Sequence, residues 1–140
     1  MIEPKVGSRS EWSRAFTADE VARFAELTGD RGAHHMRPDA EGRLLVHGLL
    51  TATLPTKLGG DLNFLAREMD FEFLRPVYAG EKILCVGLIE DVREEPRRWS
   101  VRFAFEAENE RGKVVLRGTA SGVILKTDAP GREPRTSKSP

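Results

Sequence analysis

The stretch Leu49-Leu50-Thr51-Ala52-Thr53-Leu54 constrains the fold more than any other part of the chain. It follows His47-Gly48 and presents almost no charged face. A surface helix keeps a polar side, so a helix of this composition needs cover on nearly all sides. Pro55 predicts a kink near Thr51–Leu54 or an early end, because an interior proline removes a hydrogen bond and clashes with the preceding turn. Gly59-Gly60 are expected to close the helix in any case. Directly afterwards the period changes to two. Met69, Phe71 and Phe73 alternate with Glu68, Asp70 and Glu72; Val101, Phe103, Phe105 and Ala107 alternate with Arg102, Ala104 and Glu106. Such alternation marks strands with one buried and one solvated face. Ile83–Val92 reads as a strand that ends in a turn at Glu94-Glu95-Pro96, and Asn109–Gly112 reads as a hairpin turn into Lys113–Leu125. Four consecutive antiparallel strands can curve around the apolar helix, an α+β architecture.

Upstream, Glu11–Phe16 fits a short strand. Thr17-Ala18-Asp19-Glu20 is a capping box, with Thr17 as N-cap and Glu20 reaching back. Val21, Phe24, Ala25 and Thr28 then share one helical face, and Gly29 is the C-cap candidate. The 140 residues suit one domain. Its bounds are expected at 11–126, preceded by a flexible segment at 1–10. Residues 127–140 (TDAPGREPRTSKSP) hold three prolines and no large apolar side chain, so they are expected to form a disordered tail.

Charge and cysteine content narrow the function. The 22 Lys+Arg balance the 22 Asp+Glu, and the two signs are interspersed, which argues against a nucleic-acid or anionic-membrane partner. One cysteine, Cys85, excludes an intrachain disulfide framework and a Cys-rich zinc site. No apolar run approaches the ~20 residues of a membrane span. Met1–Ser10 lacks the apolar core of a secretory signal, and a cytoplasmic location is expected.

All three histidines, His34, His35 and His47, lie close together in sequence, with Asp30 just upstream. The segment from Thr28 to His35 is expected to be loop. Histidine titrates near neutrality, and a nearby carboxylate orients it. An Asp30/His35 pair across a loop can hold one water between them, as hydration of an activated double bond requires. Gly48 at a helix start has a backbone N–H without a helical partner, and no side chain blocks the approach of a carbonyl oxygen.

Asp30-Arg31-Gly32-Ala33-His34-His35, His47-Gly48 before the apolar helix, and Phe73-Leu74-Arg75-Pro76-Val77-Tyr78-Ala79-Gly80-Glu81 appear in that order. Together they resemble the MaoC-like, or (R)-specific enoyl-CoA hydratase, branch of the hot-dog fold, over about residues 11 to 125. The resemblance implies a curved antiparallel sheet wrapped around a central helix, usually paired as a homodimer. It implies a lyase that reversibly hydrates a trans-2-enoyl thioester to a 3-hydroxyacyl thioester, with no cofactor beyond the coenzyme A or acyl carrier protein that carries the substrate. Asp30 and His35 match the catalytic pair, Gly48 the glycine whose amide polarises the thioester carbonyl, and His47 a supporting position. The chain departs from the pattern at Gly32-Ala33, where the family has Asn-Pro, at Arg37, where it has an acidic residue, and in a short His35–His47 segment.

Other readings compete. A metal site could draw on His34, His35, His47 and Asp39, but no His-x-x-x-His helix exists and adjacent histidines rarely converge on one ion. A hot-dog thioesterase would place a carboxylate on the central helix, and Thr51–Leu58 has none. A non-catalytic acyl-binding subunit of a hetero-oligomer is the third. Arg67, Arg75, Lys82, Arg97 and Arg98 are candidates for phosphate contacts, although such residues are more often solvated. Cys85 is expected to be buried and inert.

Overall fold

The computed structural model describes residues 3–126. The expected tail at 127–140 lies outside them. The chain enters the sheet earlier than expected, because Gly7 turns it with φ 87° and its N–H donates to the Ile89 carbonyl at 2.8 Å. Strand β1 (Arg9–Ala15) therefore takes in Arg9 and Ser10, which the sequence assigns to the N-terminal segment. Helix α1 (Ala18–Thr28) carries the full capping box, with the Glu20 N–H on Thr17 Oγ1 and the Thr17 N–H on Glu20 Oε1. Val21 and Ala25 face the core. Thr28 does not: it is exposed, and its hydroxyl donates to the Phe24 carbonyl.

The segment expected to be loop contains a single helical turn, α2 (Ala33–Met36). Four residues are too few to show a period. The apolar stretch folds as α3 (Gly48–Thr51) and α4 (Thr53–Asp61), broken at Ala52. With α4 starting at Thr53, Pro55 lies in its first turn, where its missing N–H would have no helical partner anyway. Gly59-Gly60 do not stop α4; it runs on to Asp61, and Asn63 reverses the chain with φ 58°.

Strands β2 (Phe64–Phe73), β3 (Lys82–Glu94), β4 (Arg98–Glu108) and β5 (Val114–Leu125) follow. All pairs are antiparallel, in the order β1-β3-β4-β5-β2. β2 pairs with β5 and approaches it closely at two glycines. A Cβ at Gly118 would stand 1.9 Å from the Asp70 carbonyl oxygen, and one at Gly122 2.0 Å from that of Leu65, so only glycine allows this approach. Thr119 locks the register by donating its N–H and hydroxyl to the Asp70 carboxylate, at 3.2 and 2.6 Å.

The curled sheet closes on Leu54 and Leu58 of α4, which pack with Ile83, Cys85, Ile89, Phe103 and Phe105. Full burial of each leucine contributes about 1.5–3 kcal/mol. Cover is not complete on all sides, as the sequence had suggested. Leu49 is 62% exposed, and Met69 and Phe73 on the inner face of β2 are 38% and 50% exposed, because β2 is an edge strand that the helices reach only in part. The result is an α+β hot-dog fold, with the central helix lying inside a curved sheet.

Candidate active site

Gly29 ends α1 in the left-handed region, with φ 80°, and sends the chain out of the helix axis. Asp30 follows at once. Its N–H donates to Thr28 Oγ1 at 3.1 Å, and its carboxylate accepts the Gly32 N–H at 3.3 Å. This local turn starts α2, whose second and third residues are His34 and His35. Gly32 makes room for His34, since a Cβ there would stand 2.9 Å from His34 Cε1.

His35 is 7% exposed and its Nδ1 lies 2.8 Å from the Leu45 carbonyl oxygen. A carbonyl only accepts, so Nδ1 carries a proton and donates it to Leu45, which leaves Nε2 as the ring nitrogen not engaged there. His47, 1% exposed, donates from Nε2 to the backbone carbonyl of Asp30 at 3.0 Å. The two imidazoles stack with centroids 3.8 Å apart and planes 15° from parallel, and Phe24 meets His47 edge-on at 4.8 Å. One polar atom each of Asp30, His35 and His47 lies within 4.8 Å of the other two. His34 is exposed, and its ring is tilted against His35 at 4.0 Å.

Beside this cluster a cavity of about 340 Å³ is lined by His35, Gly48, Thr51, Phe73, Val77 and Val115, among others. Gly48 opens α3, and its N–H has no acceptor among the described residues. Phe73 packs against it so closely that a Cβ would stand 3.0 Å from the ring. The structure therefore clusters Asp30 with His35 and His47, and puts His35 and Gly48 on one cavity wall, which Asp30 does not line. Asp39, a member of the alternative metal set, is elsewhere. Its carboxylate accepts from the Arg43 and Glu41 backbone N–H groups and the Arg43 side chain, which hold it below the usual carboxylate range.

Sequence reasoning missed the Leu45 carbonyl that sets the His35 tautomer. A backbone acceptor leaves no trace in residue type. The same segment is pinned by hydrogen bonds from the Val46 N–H to the Val77 carbonyl and from the Ala79 N–H to the Leu44 carbonyl, both 2.8 Å. The short His35–His47 connection is thereby tied to the Pro76–Ala79 turn. Among the described residues no helix is long and apolar enough to cross a membrane.

No family model matches the sequence. The mitochondrial 3-hydroxyacyl-[acyl-carrier-protein] dehydratase of Arabidopsis thaliana is 26% identical over 140 residues, covering 93% of this chain and 83% of that one. The (R)-specific enoyl-CoA hydratase of Aeromonas caviae is 30% identical over 102 residues, covering 65% of this chain and 75% of that one. The solved (R)-hydratase of A. caviae superposes with a TM-score of 0.76 at 27% identity, over 88% of this chain and 98% of that one. By shared sequence and shared fold, the chain belongs to the (R)-specific enoyl-CoA hydratase family, the MaoC-like hydratases and dehydratases of the hot-dog fold.

Proposed function

We propose that Asp30 and His35 hold one water and add it reversibly across the double bond of a trans-2-enoyl thioester, giving a 3-hydroxyacyl thioester. The observation that carries this reading is that His35, with Nδ1 engaged by the Leu45 carbonyl, keeps a polar atom within 4.8 Å of Asp30 and shares a cavity wall with Gly48. The water oxygen bonds to C3 while the Asp30/His35 pair takes one of its protons. The π electrons move to the thioester oxygen, which the Gly48 N–H steadies as it becomes an enolate oxygen. The pair then returns a proton to C2. One water is consumed and nothing is oxidised or reduced, so the step as written calls on no cofactor beyond the thioester's own carrier.

The first test is the hydration of crotonyl-CoA, followed by loss of its enoyl absorbance. Asp30→Asn and His35→Ala are each expected to lower kcat by about a thousandfold or more, since a placed acid–base group contributes roughly 10²–10⁴. Circular dichroism should stay unchanged, because Asp30 is exposed and His35 sits on a single turn. Full activity in either variant overturns the assignment.

The proposal includes a homodimer. Hot-dog relatives assemble, two of them in solved two-component complexes. The open edge of β2, with Leu49, Met69 and Phe73 beside it, is the surface that a second copy would cover. A cytoplasmic location also belongs to the proposal. The A. thaliana relative is mitochondrial, which makes an organellar location the competing outcome of fractionation.

A further inference from the structure

The cavity beside the Asp30, His35 and His47 cluster has a buried wall of Val46, Val77 and Val115, and among them one hydroxyl, that of Thr51, a residue 3% exposed. A helical threonine ordinarily turns its hydroxyl back onto a carbonyl of the preceding turn. Thr28 does so to Phe24 at 2.7 Å, Thr53 to Leu50 at 2.5 Å and Thr56 to Thr53 at 2.8 Å. Thr51 is the exception. Its N–H donates to the His47 carbonyl at 3.0 Å, but its hydroxyl has no partner among the described residues. Nor is that hydroxyl sealed in. Among the described residues the enclosed side-chain atoms without a partner are His47 Nδ1 and Trp99 Nε1. The Thr51 hydroxyl therefore keeps an opening, and the space that Thr51 lines is the cavity. Gly48, Phe73 and Arg75 line the same cavity from exposed positions.

We propose that Thr51 selects acyl thioesters that carry an uncharged oxygen, a hydroxyl or a keto group, on C4. The inference rests on the hydratase reading above, in which Gly48 holds the thioester oxygen and the acyl end meets the buried wall. Gly48 and Thr51 stand three residues apart on one turn, a rise of about 4.5 Å. That matches the reach from a thioester carbonyl to its fourth carbon. A purely aliphatic chain would cover the Thr51 hydroxyl and leave it unpaired, which a site built around a hydrogen-bonding group penalises. An oxygen on C4 answers it, since the threonine hydroxyl both donates and accepts. A carboxylate fits less well. No lysine or arginine stands on the buried wall, and Arg75 is exposed and bonded to the Val114 carbonyl. A buried charge without a counter-charge costs more than an unpaired hydroxyl. In this role Thr51 sets which substrate is accepted and takes no part in proton transfer.

Two matched pairs of thioesters test the selection on the full chain. The first, trans-4-hydroxycrotonyl-CoA against trans-2-pentenoyl-CoA, exchanges a hydroxyl for a methyl and is compared in kcat/KM. The second, 4-oxopentanoyl-CoA against 4-methylpentanoyl-CoA, is saturated, offers no double bond to hydrate, and is compared in Kd by calorimetry. Wild type is expected to favour the oxygen-bearing member of each pair by about tenfold, the scale of one neutral hydrogen bond otherwise left unmade. Thr51→Val replaces the hydroxyl with a methyl at nearly constant volume and should bring both ratios to about one or below. Thr51→Ser keeps the hydroxyl and should keep the preference. Each ratio is internal to one variant, so a partly folded sample does not shift it. Equal treatment of both pairs by wild type, or an unchanged preference in Thr51→Val, would overturn the proposal. Binding of the saturated pair needs no turnover. Wild type inert toward both enoyl thioesters but still preferring 4-oxopentanoyl-CoA would therefore sink the hydratase reading and uphold the selection, whereas turnover without preference would sink the selection alone.

Discussion

His47 contributes to the site without a polar atom of its own facing a described partner on one side. Its Nε2–H holds the Asp30 carbonyl, its ring stacks on His35, and its Nδ1 is buried with no hydrogen-bond partner among the described residues. An orphaned buried acceptor costs about 1–3 kcal/mol, so stability alone does not favour histidine here. The expectation is that His47→Phe, which keeps a ring against His35 and Phe24, leaves the melting temperature within about 5 °C of wild type. It should lower kcat for crotonyl-CoA by about 10–100-fold, because Asp30 loses its anchor and small misplacements are costly in catalysis. Unchanged kcat would show that Asp30 is positioned by its own turn alone. At this scale Asp30, His35 and Gly48 stood out as candidates because of the chemistry that their side chains, or the lack of one, can do. The Leu45 carbonyl and the stacking of His47 did not, since both arise only when Leu44 and Val46 pin the connecting segment to Ala79 and Val77.

The β3–β4 hairpin shows how one side chain closes a turn between two strands. Glu95 accepts from Arg98 Nε at 2.8 Å and Ser100 Oγ at 2.7 Å, which hold its carboxyl down at about 2 from the usual 4.5. A carboxylate with a lowered folded pKa stabilises the folded state above its unfolded value, and that contribution is lost as pH falls toward the folded value. Wild type should therefore melt above Glu95→Gln at pH 6, and the gap should close between about pH 4.5 and pH 2. A gap that persists at pH 2 would assign the effect to shape rather than charge. This turn, the capping box of α1 and the alternation of β4 could all be read from the sequence, because each depends on neighbouring residues. The start of β2 at Phe64 could not. A register shift between Ala66 and Glu68 breaks its period there, and its partner β5 lies far along the chain. Gly118 and Gly122 gave no warning that the β2 backbone lies against them at contact distance.

For the molecule as a whole, the strand order decides what is left open. Placing β2 at the edge leaves ten residues of strand without a neighbour on one side, next to Leu49, Met69 and Phe73. An exposed strand of that length with apolar side chains invites pairing, and identical chains can pair such edges about a twofold axis. The period-two pattern around Met69, Phe71 and Phe73 announced a buried face, and within one chain that face is only half covered. A second copy would supply the missing cover and shield Phe73, which lines the candidate active-site cavity and touches Gly48. Light scattering on wild type should then give twice the chain mass of 15.6 kDa. The double variant Leu65→Lys/Met69→Lys adds two like charges to the edge. It should run as a monomer with a strand-rich circular dichroism spectrum, and its kcat for crotonyl-CoA should fall by about tenfold or more as the wall carrying Phe73 loosens. A wild-type monomer with full activity, or a variant that keeps both mass and activity, would show that one chain completes its own site.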